Sequence, residues 1–363
     1  MVTISLCMIV RNEEDVLERC LESVKDVVDE IILVDTGSED RTKEIAERYT
    51  KKVYDYPWND DFAAARNDSF SRAEMEYQMW LDADDVLEAE DRKRFLAMKE
   101  QLDGETDVVM LPYHVGFDES GKPTMTYYRE RLLKRSSGFL WQGAVHEVIA
   151  PSGRIVYGNA AICHRKLHPS DPDRNLRIYE QMKKQGGITD PRHQFYYGRE
   201  LYYHERYGEA ADVLENFLRE GKGWKENNIS ACLNLSECLE KTGKWEAALA
   251  ALFWSFRYGS PRPEVCCAIG NWFLEKGETK EAICWYLQAK EQVTDEKTGA
   301  FVNPDCHDFI PDIQLCVCYE RLGQREEALK YHESAKKRKP LHPSVLHNEE
   351  YFQSCEKSQL EKI

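Results

Sequence analysis

The sequence lacks the features of a membrane, secreted or nucleic-acid-binding protein. None of its apolar runs approaches the roughly 18–20 consecutive residues that a membrane-spanning helix requires. The apolar run at residues 4–10 has no basic segment before it and no cleavage site after it, so we expect no signal peptide. Basic residues are in deficit, with 49 Lys and Arg against 65 Asp and Glu, giving a net charge of −16. This balance argues against broad binding to nucleic acid or anionic lipid.

The twelve cysteines lack the spacing of a disulfide framework or a zinc site. No CxxC pair occurs, and many of the cysteines fall within apolar patterns. We therefore expect reduced thiols in the cores of a cytoplasmic protein without an integral membrane segment. The length of 363 residues, with 42% hydrophobic and 31% charged residues, is sufficient for two globular domains.

The first 165 residues alternate strand-like and helix-like segments. Continuous apolar runs are typical of strands buried on both faces, and apolar positions at helical intervals separate these runs. This order predicts a mainly parallel α/β sheet, in which ligands bind at the carboxyl ends of the strands. The predicted strands are 4–10, 30–35, 52–56 and 77–82, and the predicted helices are 13–28, 42–49 and 62–73.

Three aspartates crowd the end of the last predicted strand. Asp82, Asp84 and Asp85 follow the apolar run directly, and carboxylates placed so closely repel one another. A D-x-D pair at a strand end can hold one divalent cation, and oxygen ligands without cysteine favour Mg²⁺ or Mn²⁺. The alternative is a solvated turn that caps a helix starting near Leu87.

Two more polar groups lie near the same predicted sheet edge. Asp35 ends the adjacent strand, where its carboxylate could meet a nucleotide base or ribose. The alternative role for Asp35 is to cap the helix that begins at Thr42. Arg66 precedes Asn67 on the helix that leads into the acidic strand, and it could stack on a base or form a salt bridge.

After about residue 190 the pattern becomes a helical repeat. Gly243, Gly277 and Gly323 are each followed five residues later by an alanine, and the first two are 34 residues apart, the tetratricopeptide period. A 12-residue insertion within 291–309 accounts for the longer third spacing. An earlier copy has Glu205 in the glycine place. The sequence therefore predicts an all-α solenoid with a concave binding face. The expected division is a catalytic domain at 1–165, a linker with one helix at 166–191, repeats at 192–345 and a tail at 346–363.

Four motifs in order, "ISLCMIVRNEEDVLERC", "EIILVDTGSEDRT", "DFAAARNDSF" and "WLDADD", resemble the catalytic domain of family 2 glycosyltransferases of the GT-A fold. A subgroup of that family joins this domain to tetratricopeptide repeats and includes sublancin-type peptide S-glycosyltransferases. The resemblance implies a metal-dependent, inverting transfer of a hexose from a nucleotide sugar, most often a UDP-sugar. It implies a peptide or protein acceptor bound by the repeats. The repeats could instead mediate self-association, and the acceptor could instead be a cell-surface polysaccharide.

The resemblance also implies roles for individual residues. His164, after a later apolar run, would be a further metal ligand, although a lone histidine is more often structural. Val10 and Glu13 would line the nucleotide pocket. Asp35 would hold the nucleotide base, with Arg66 against that base. Asp82 would contact the ribose, and Asp84 would bind the metal.

The general base is expected within residues 131–149, where His146 and Glu147 follow a glycine-aromatic stretch. This resembles the place of the family's acidic pair, with histidine replacing the usual first acid. If the two residues lie on an extended strand, only one can face the donor unless a bulge intervenes. Glu147 is the favoured base and His146 the alternative. A salt-bridged pair on an edge strand is the non-catalytic reading.

Two other functions compete with this one. A sugar nucleotidyltransferase would also place acidic metal ligands on an α/β sheet, but it usually has a glycine-rich loop after the first strand, and "MIVRNEE" contains no glycine. A repeat scaffold with an inactive transferase domain is the second alternative. All the acidic positions are present, so the sequence gives no sign of degeneration.

Overall fold

A computed structural model describes residues 1–117, 121, 123–167, 171–292 and 302–360. The chain divides into two compact units, Met1–Ile188 and Thr189–Ile363. The helix that the sequence assigns to a linker lies in the first unit. Residues 293–301, within the segment 291–309 that contains the predicted insertion, lie outside the described residues.

The four predicted strands form the parallel half of one sheet. They lie in the order β3-β2-β1-β4, and all three pairings are parallel. In this register Val10 lies opposite Asp35, so the carboxyl ends of β1 and β2 meet at one edge. The strands are β1 (Ile4–Val10), β2 (Glu30–Asp35), β3 (Val53–Asp55) and β4 (Tyr77–Trp80).

The other half of the sheet mixes parallel and antiparallel pairs. β4 pairs antiparallel with β7, which pairs antiparallel with β6. β6 runs parallel to both β8 and β9, and β9 pairs antiparallel with β5. This last pairing places His164 opposite Asp85. The strands are β5 (Asp85–Val86), β6 (Val108–Phe117), β7 (Pro123–Lys134), β8 (Ile155–Tyr157) and β9 (Ile162–His164).

His146 and Glu147 do not lie on an extended strand, so the condition under which only one of them could face the donor does not hold. β7 ends at Lys134, and residues 139–149 form a loop whose one isolated bridge joins Gln142 to Val148. Positive φ angles at Gly143 (97°) and His146 (51°) explain the loop, because an extended strand requires negative φ.

The helices of the first unit cover both faces of the sheet. α1 and α4 pack on one face with the side chains of Leu6 and Met8, and α3 packs on the other with Cys7 and Trp80. α1 begins four residues later than predicted, because Val16 has a non-helical φ of −124°. The helices are α1 (Leu17–Val24), α2 (Thr42–Ala46), α3 (Phe62–Ser71), α4 (Ala89–Gln101) and α5 (Arg174–Gln185).

The second unit consists of helices that follow one another as antiparallel pairs. No described helix in either unit is both long and apolar enough to cross a membrane. The helices are α6 (Pro191–Tyr203), α7 (Tyr207–Glu220), α8 (Lys225–Lys241), α9 (Trp245–Trp254), α10 (Pro263–Glu275), α11 (Thr279–Glu291), α12 (Phe309–Arg321), α13 (Arg325–Arg338) and α14 (Pro343–Leu360).

The predicted repeat turns are confirmed. Gly243, Gly277 and Gly323 have φ angles of 77°, 81° and 72°, and Glu205 takes the same left-handed conformation with φ of 57°. The alanines that follow each turn are fully buried, which lets the paired helices approach closely. These alanines are Ala210, Ala248, Ala282 and Ala328.

Candidate active site

Several of the candidate residues follow the carboxyl ends of β2 and β4 at one edge of the sheet. Asp35 is the last residue of β2, and its side chain is 1% exposed. Its Oδ1 accepts hydrogen bonds from the backbone N–H groups of Gly37 and Ser38, both at 2.9 Å. Its Oδ2 is buried and accepts no hydrogen bond from the described residues. Because buried carboxylate oxygens are rarely left without a donor, Asp35 points to a ligand N–H or O–H.

Val10 lies opposite Asp35 in the sheet, and its carbonyl oxygen is already hydrogen-bonded within the protein. Its carbonyl oxygen already accepts from the backbone N–H of Thr36 at 2.9 Å and from the Thr36 hydroxyl at 3.2 Å. Glu13 is fixed beside Val10 by a hydrogen bond from its own N–H to the hydroxyl oxygen of Thr42, at 2.7 Å.

Asp84, Asp85 and His164 form a cluster with the geometry of a metal site. His164 Nδ1 lies 3.2 Å from Asp84 Oδ1 and 3.4 Å from Asp85 Oδ1, and one ligand atom from each residue falls within 4.8 Å of the others. The backbone N–H of Arg165 donates to the Asp84 carbonyl at 2.9 Å, which fixes the two chain segments together. Asp84 and His164 retain 19% and 26% side-chain exposure, so a ligand can reach both.

Asp85 belongs to the core behind this cluster. Its side chain is fully buried, and its Oδ2 accepts from Arg131 at 3.0 Å and from the backbone N–H of Asp82 at 3.1 Å. Its Oδ1 accepts from the Tyr113 hydroxyl at 2.9 Å. Arg131 is also fully buried and lies 3.8 Å from the Trp80 ring centroid. Sequence reasoning missed Arg131 and Tyr113. The one available signal was a charged residue directly before the apolar pair of β7.

Negative charge dominates the electrostatics of the site. Burial and the charges of Asp84 and Asp82 raise the pKa of Glu13 to about 7. Burial would raise the pKa of Asp82, but the charge of Arg66 outweighs it and lowers that pKa to about 2. Burial would lower the pKa of His164, but hydrogen bonds to Asp84 and Asp85 raise it to about 10. The carboxylates of Asp84 and Asp85 therefore favour a positive charge at this position.

Arg66 connects two of the candidate residues. Its Nε donates to Glu147 Oε1 and its NH2 group donates to Asp82 Oδ1, both at 2.7 Å. The guanidinium lies 5.3 Å from the Trp80 ring centroid and 4.8 Å from that of Trp141. The structure thus places Arg66 in a salt bridge, one of the two roles considered from the sequence. Glu147 is held beside Asp82 by this shared guanidinium.

His146 and Glu147 have different surroundings although they are adjacent. The His146 ring stacks on Tyr179 of α5, with ring centroids 6.3 Å apart and planes 18° from parallel. Glu147 instead pairs with Arg66 of α3, and its side chain is 14% exposed. The loop therefore directs one candidate base to α5 and the other to the acidic edge.

Comparison with known proteins identifies the family. Residues 5–156 match Glycosyl transferase family 2, and residues 314–344 match a tetratricopeptide repeat. A TPR repeat-containing protein of Synechococcus elongatus is 30% identical to this chain over 334 residues, which cover 89% of this chain and 75% of that protein. The chain belongs to glycosyl transferase family 2.

Two further relatives are glycosyltransferases. Glycosyltransferase SunS of Bacillus subtilis is 28% identical over 247 residues, covering 62% of this chain and 55% of SunS. The lipopolysaccharide core biosynthesis glycosyltransferase LpsC of Rhizobium meliloti is 28% identical over 167 residues, covering 43% of this chain and 60% of LpsC. This chain is accordingly a glycosyltransferase with a family 2 domain in its first unit and tetratricopeptide repeats in its second.

Proposed function

We propose that this family 2 glycosyltransferase transfers a hexose from a UDP-sugar to an acceptor, with a divalent cation and with inversion at the anomeric carbon. The observation that carries the proposal is the approach of Asp84 to His164 at the sheet edge that also holds Asp35. Asp84 and His164 offer ligands for a cation, and Asp35 offers an acceptor for a hydrogen bond from the nucleotide base.

The residues present fit Mn²⁺ or Mg²⁺. Asp84 and His164 would bind the ion directly, since both are accessible and their ligand atoms lie 3.2 Å apart. Asp85 would lie behind these two ligands without binding the ion itself, because Tyr113 and Arg131 already donate hydrogen bonds to its two oxygens. A bound cation supplies the positive charge that a diphosphate leaving group requires.

The proposed nucleotide pocket uses the parallel strands. The free Oδ2 of Asp35 would accept from the base, and Val10 and Glu13 would line the pocket beside it. Asp82 would accept from a ribose hydroxyl, since its side chain is 36% exposed and it already lies beside Asp84. A base that offers an N–H to Asp35, as uracil does, suits this arrangement.

Glu147 is the proposed general base. It would take the proton of the acceptor nucleophile as that group attacks the anomeric carbon and the bond from that carbon to the diphosphate breaks. A single displacement of this kind inverts the anomeric configuration. The link from Glu147 through Arg66 to Asp82 supports Glu147 over His146, because it keeps the carboxylate next to the proposed ribose ligand.

A peptide or protein is the proposed acceptor, bound by the repeats in a cytoplasmic setting. The support is the similarity to a subgroup that includes peptide S-glycosyltransferases, together with a helical array of the kind that binds peptides in other proteins. The free cysteines support the reducing setting. A cell-surface polysaccharide is the alternative acceptor, favoured by the similarity to LpsC.

Calorimetric titration with UDP tests the donor and metal proposals together. We expect binding that requires Mn²⁺ or Mg²⁺ and that is lost in Asp84→Asn and in EDTA. Glu90→Gln is the matched control, since it makes the same kind of change at an exposed carboxylate on α4. UDP binding that persists in EDTA would contradict the metal proposal.

A hydrolysis screen tests the activity itself. Release of free nucleotide from UDP-, GDP- and dTDP-sugars with Mn²⁺ is expected to be fastest with a UDP-sugar and to fall in Glu147→Gln. Nucleotide binding without turnover of any of these sugars would instead favour the inactive-scaffold alternative.

A further inference from the structure

The loop that carries Glu147 has little support from the sheet. Within residues 139–149, Gln142 and Val148 exchange two backbone hydrogen bonds, at 2.9 and 3.0 Å, and these form the one isolated bridge. His146 has a φ of 51°, a conformation that costs a non-glycine residue roughly 1–2 kcal/mol. Surrounding contacts must hold such a conformation in place.

Helix α3 supplies several of those contacts from one stretch. Asn67 Nδ2 donates to the carbonyl of Trp141 at 3.0 Å, and the N–H of Trp141 donates back to Asn67 Oδ1 at 2.9 Å. The side-chain amide thus pairs with both backbone groups of one residue, as a neighbouring strand would. The N–H of Phe62, in the first turn of α3, donates to the Ala144 carbonyl at 2.8 Å.

Trp141 is a fixed point in the core. It is 3% exposed and packs edge-on against Trp80 and Phe70, with ring centroids 5.0 and 6.0 Å away. A residue that binds its backbone therefore sets where the loop leaves the core. Six residues further along the loop, Glu147 meets Arg66, the neighbour of Asn67 on α3.

We propose that Asn67 is a positioning residue that acts through Glu147. Its amide holds the start of the loop at Trp141, so that Glu147 reaches the donor side of the site in one fixed geometry. This inference rests on the proposed role of Glu147 as the general base. Asparagine suits the position because its amide contains one donor and one acceptor, whereas aspartate would place a carboxylate oxygen against the Trp141 carbonyl.

Asn67→Ala and Asn67→Asp test the inference, with Asp68→Asn as the matched control. Asp68 is the next residue of α3, and its side chain pairs with Arg72 one turn later. The activity probe is release of UDP from a UDP-sugar with Mn²⁺, where water replaces the acceptor. The structural probe is hydrogen exchange at the amides of Trp141 and Val148 in the full chain.

We expect faster exchange at both amides in Asn67→Ala, which removes the acceptor of the Trp141 N–H. Turnover should be lower by about tenfold or more in both Asn67 variants, because small misplacements of catalytic groups lower rates by such factors. The affinity for UDP in the presence of Mn²⁺ should change less than about twofold, because the substitution removes none of the proposed nucleotide or metal contacts. In a Glu147→Gln background, the same Asn67 change should lower the residual turnover by less than about threefold, since non-additivity reveals residues that act as a unit.

The outcomes separate this inference from the proposed function. Unchanged exchange at Trp141 overturns the role of Asn67 whatever the activity shows. An equal loss of turnover with and without Glu147 overturns it as well, because Asn67 would then act on the fold in general. If Glu147→Gln itself retains full turnover, the proposed base fails, and the exchange result still decides whether Asn67 holds the loop.

Discussion

At the scale of single residues, the acidic motif divides into two kinds of aspartate. Asp84 is accessible and faces His164, whereas Asp85, the next residue, is fully buried with Arg131 and Tyr113. Arg131 donates to Asp85 and to the Trp80 carbonyl through NH1, and its Nε and NH2 are buried without a partner among the described residues. Asp85 is therefore the main charge that compensates a buried guanidinium.

This division predicts losses of stability of different size for the same Asp→Asn substitution at the two positions. Asp85→Asn should lower the free energy of unfolding by about 3–5 kcal/mol, because it leaves a buried arginine uncompensated. Asp84→Asn should change stability by less than about 1 kcal/mol, as expected for an accessible position away from the core. Urea unfolding of metal-free protein measures both. Equal losses of stability would contradict the division.

Glu13 predicts a pH dependence. Its folded pKa of about 7 lies above the unperturbed value of 4.5, so the folded protein holds this proton more tightly than the unfolded chain does. Its contribution to stability is then present below pH 4.5 and is lost as the pH rises to about 7. Relative to Glu13→Gln, the metal-free wild type should lose stability over this interval. Urea curves whose difference stays constant with pH would contradict this assignment.

At the scale of elements, the repeat turns show one conformation built from two residue types. Three turns use glycine and one uses Glu205, yet all four have φ between 57° and 81°. A glutamate in this region is strained, since its Cβ crowds the backbone, whereas glycine has no Cβ.

Glu205→Gly should therefore stabilise the protein. The expected gain in unfolding free energy is about 0.5–1 kcal/mol, which is the relief of strain less the entropy that glycine adds to the unfolded chain. Gly243→Ala is the control with the opposite sign, because its φ of 77° strains alanine although no atom crowds the new Cβ. Thermal unfolding of the two variants gives the comparison. Destabilisation by Glu205→Gly would show that the glutamate has a stabilising contact.

At the scale of the whole molecule, the proposed donor site lies within one unit. Asp35, Asp82, Asp84, Glu147 and His164 all fall within Met1–Ile188. The family match at residues 5–156 covers most of them, and His164 lies beyond it. The proposed donor binding therefore uses residues of the first unit.

Donor binding should leave a localised signature in the full chain. We expect UDP with Mn²⁺ to slow hydrogen exchange at the carboxyl ends of β1, β2 and β4 and at β9, because bound ligand stabilises the elements it contacts. The helices from α6 to α14 should change little. Protection in the repeats equal to that in the sheet would contradict a donor site confined to the first unit.

Much of the fold was readable from the sequence because its signals are local. A strand such as 4–10 is apolar throughout, and the repeat turns carry a glycine or, at 205, a residue at the same spacing before a small alanine. The conformation of the loop at 139–149 was not predicted, since it depends on contacts with α3 that no local pattern shows. Arg131 was missed for a related reason, because nothing nearby in the sequence shows that it pairs with Asp85.

The sequence by itself determined the alternation of the first strands and helices along the chain, the helical repeats and the crowding of aspartates after β4. These features depend on periodicity and spacing within a few residues. Only the tertiary structure decided which aspartate is accessible and which residue of the 146–147 pair faces the acidic edge. It also decided that His164 reaches Asp84. These outcomes depend on contacts between residues about 80 positions apart, by strand pairing for His164 and by a side-chain hydrogen bond to α3 for Glu147. Long-range pairing is set by the packing of the whole sheet, and no local pattern encodes it.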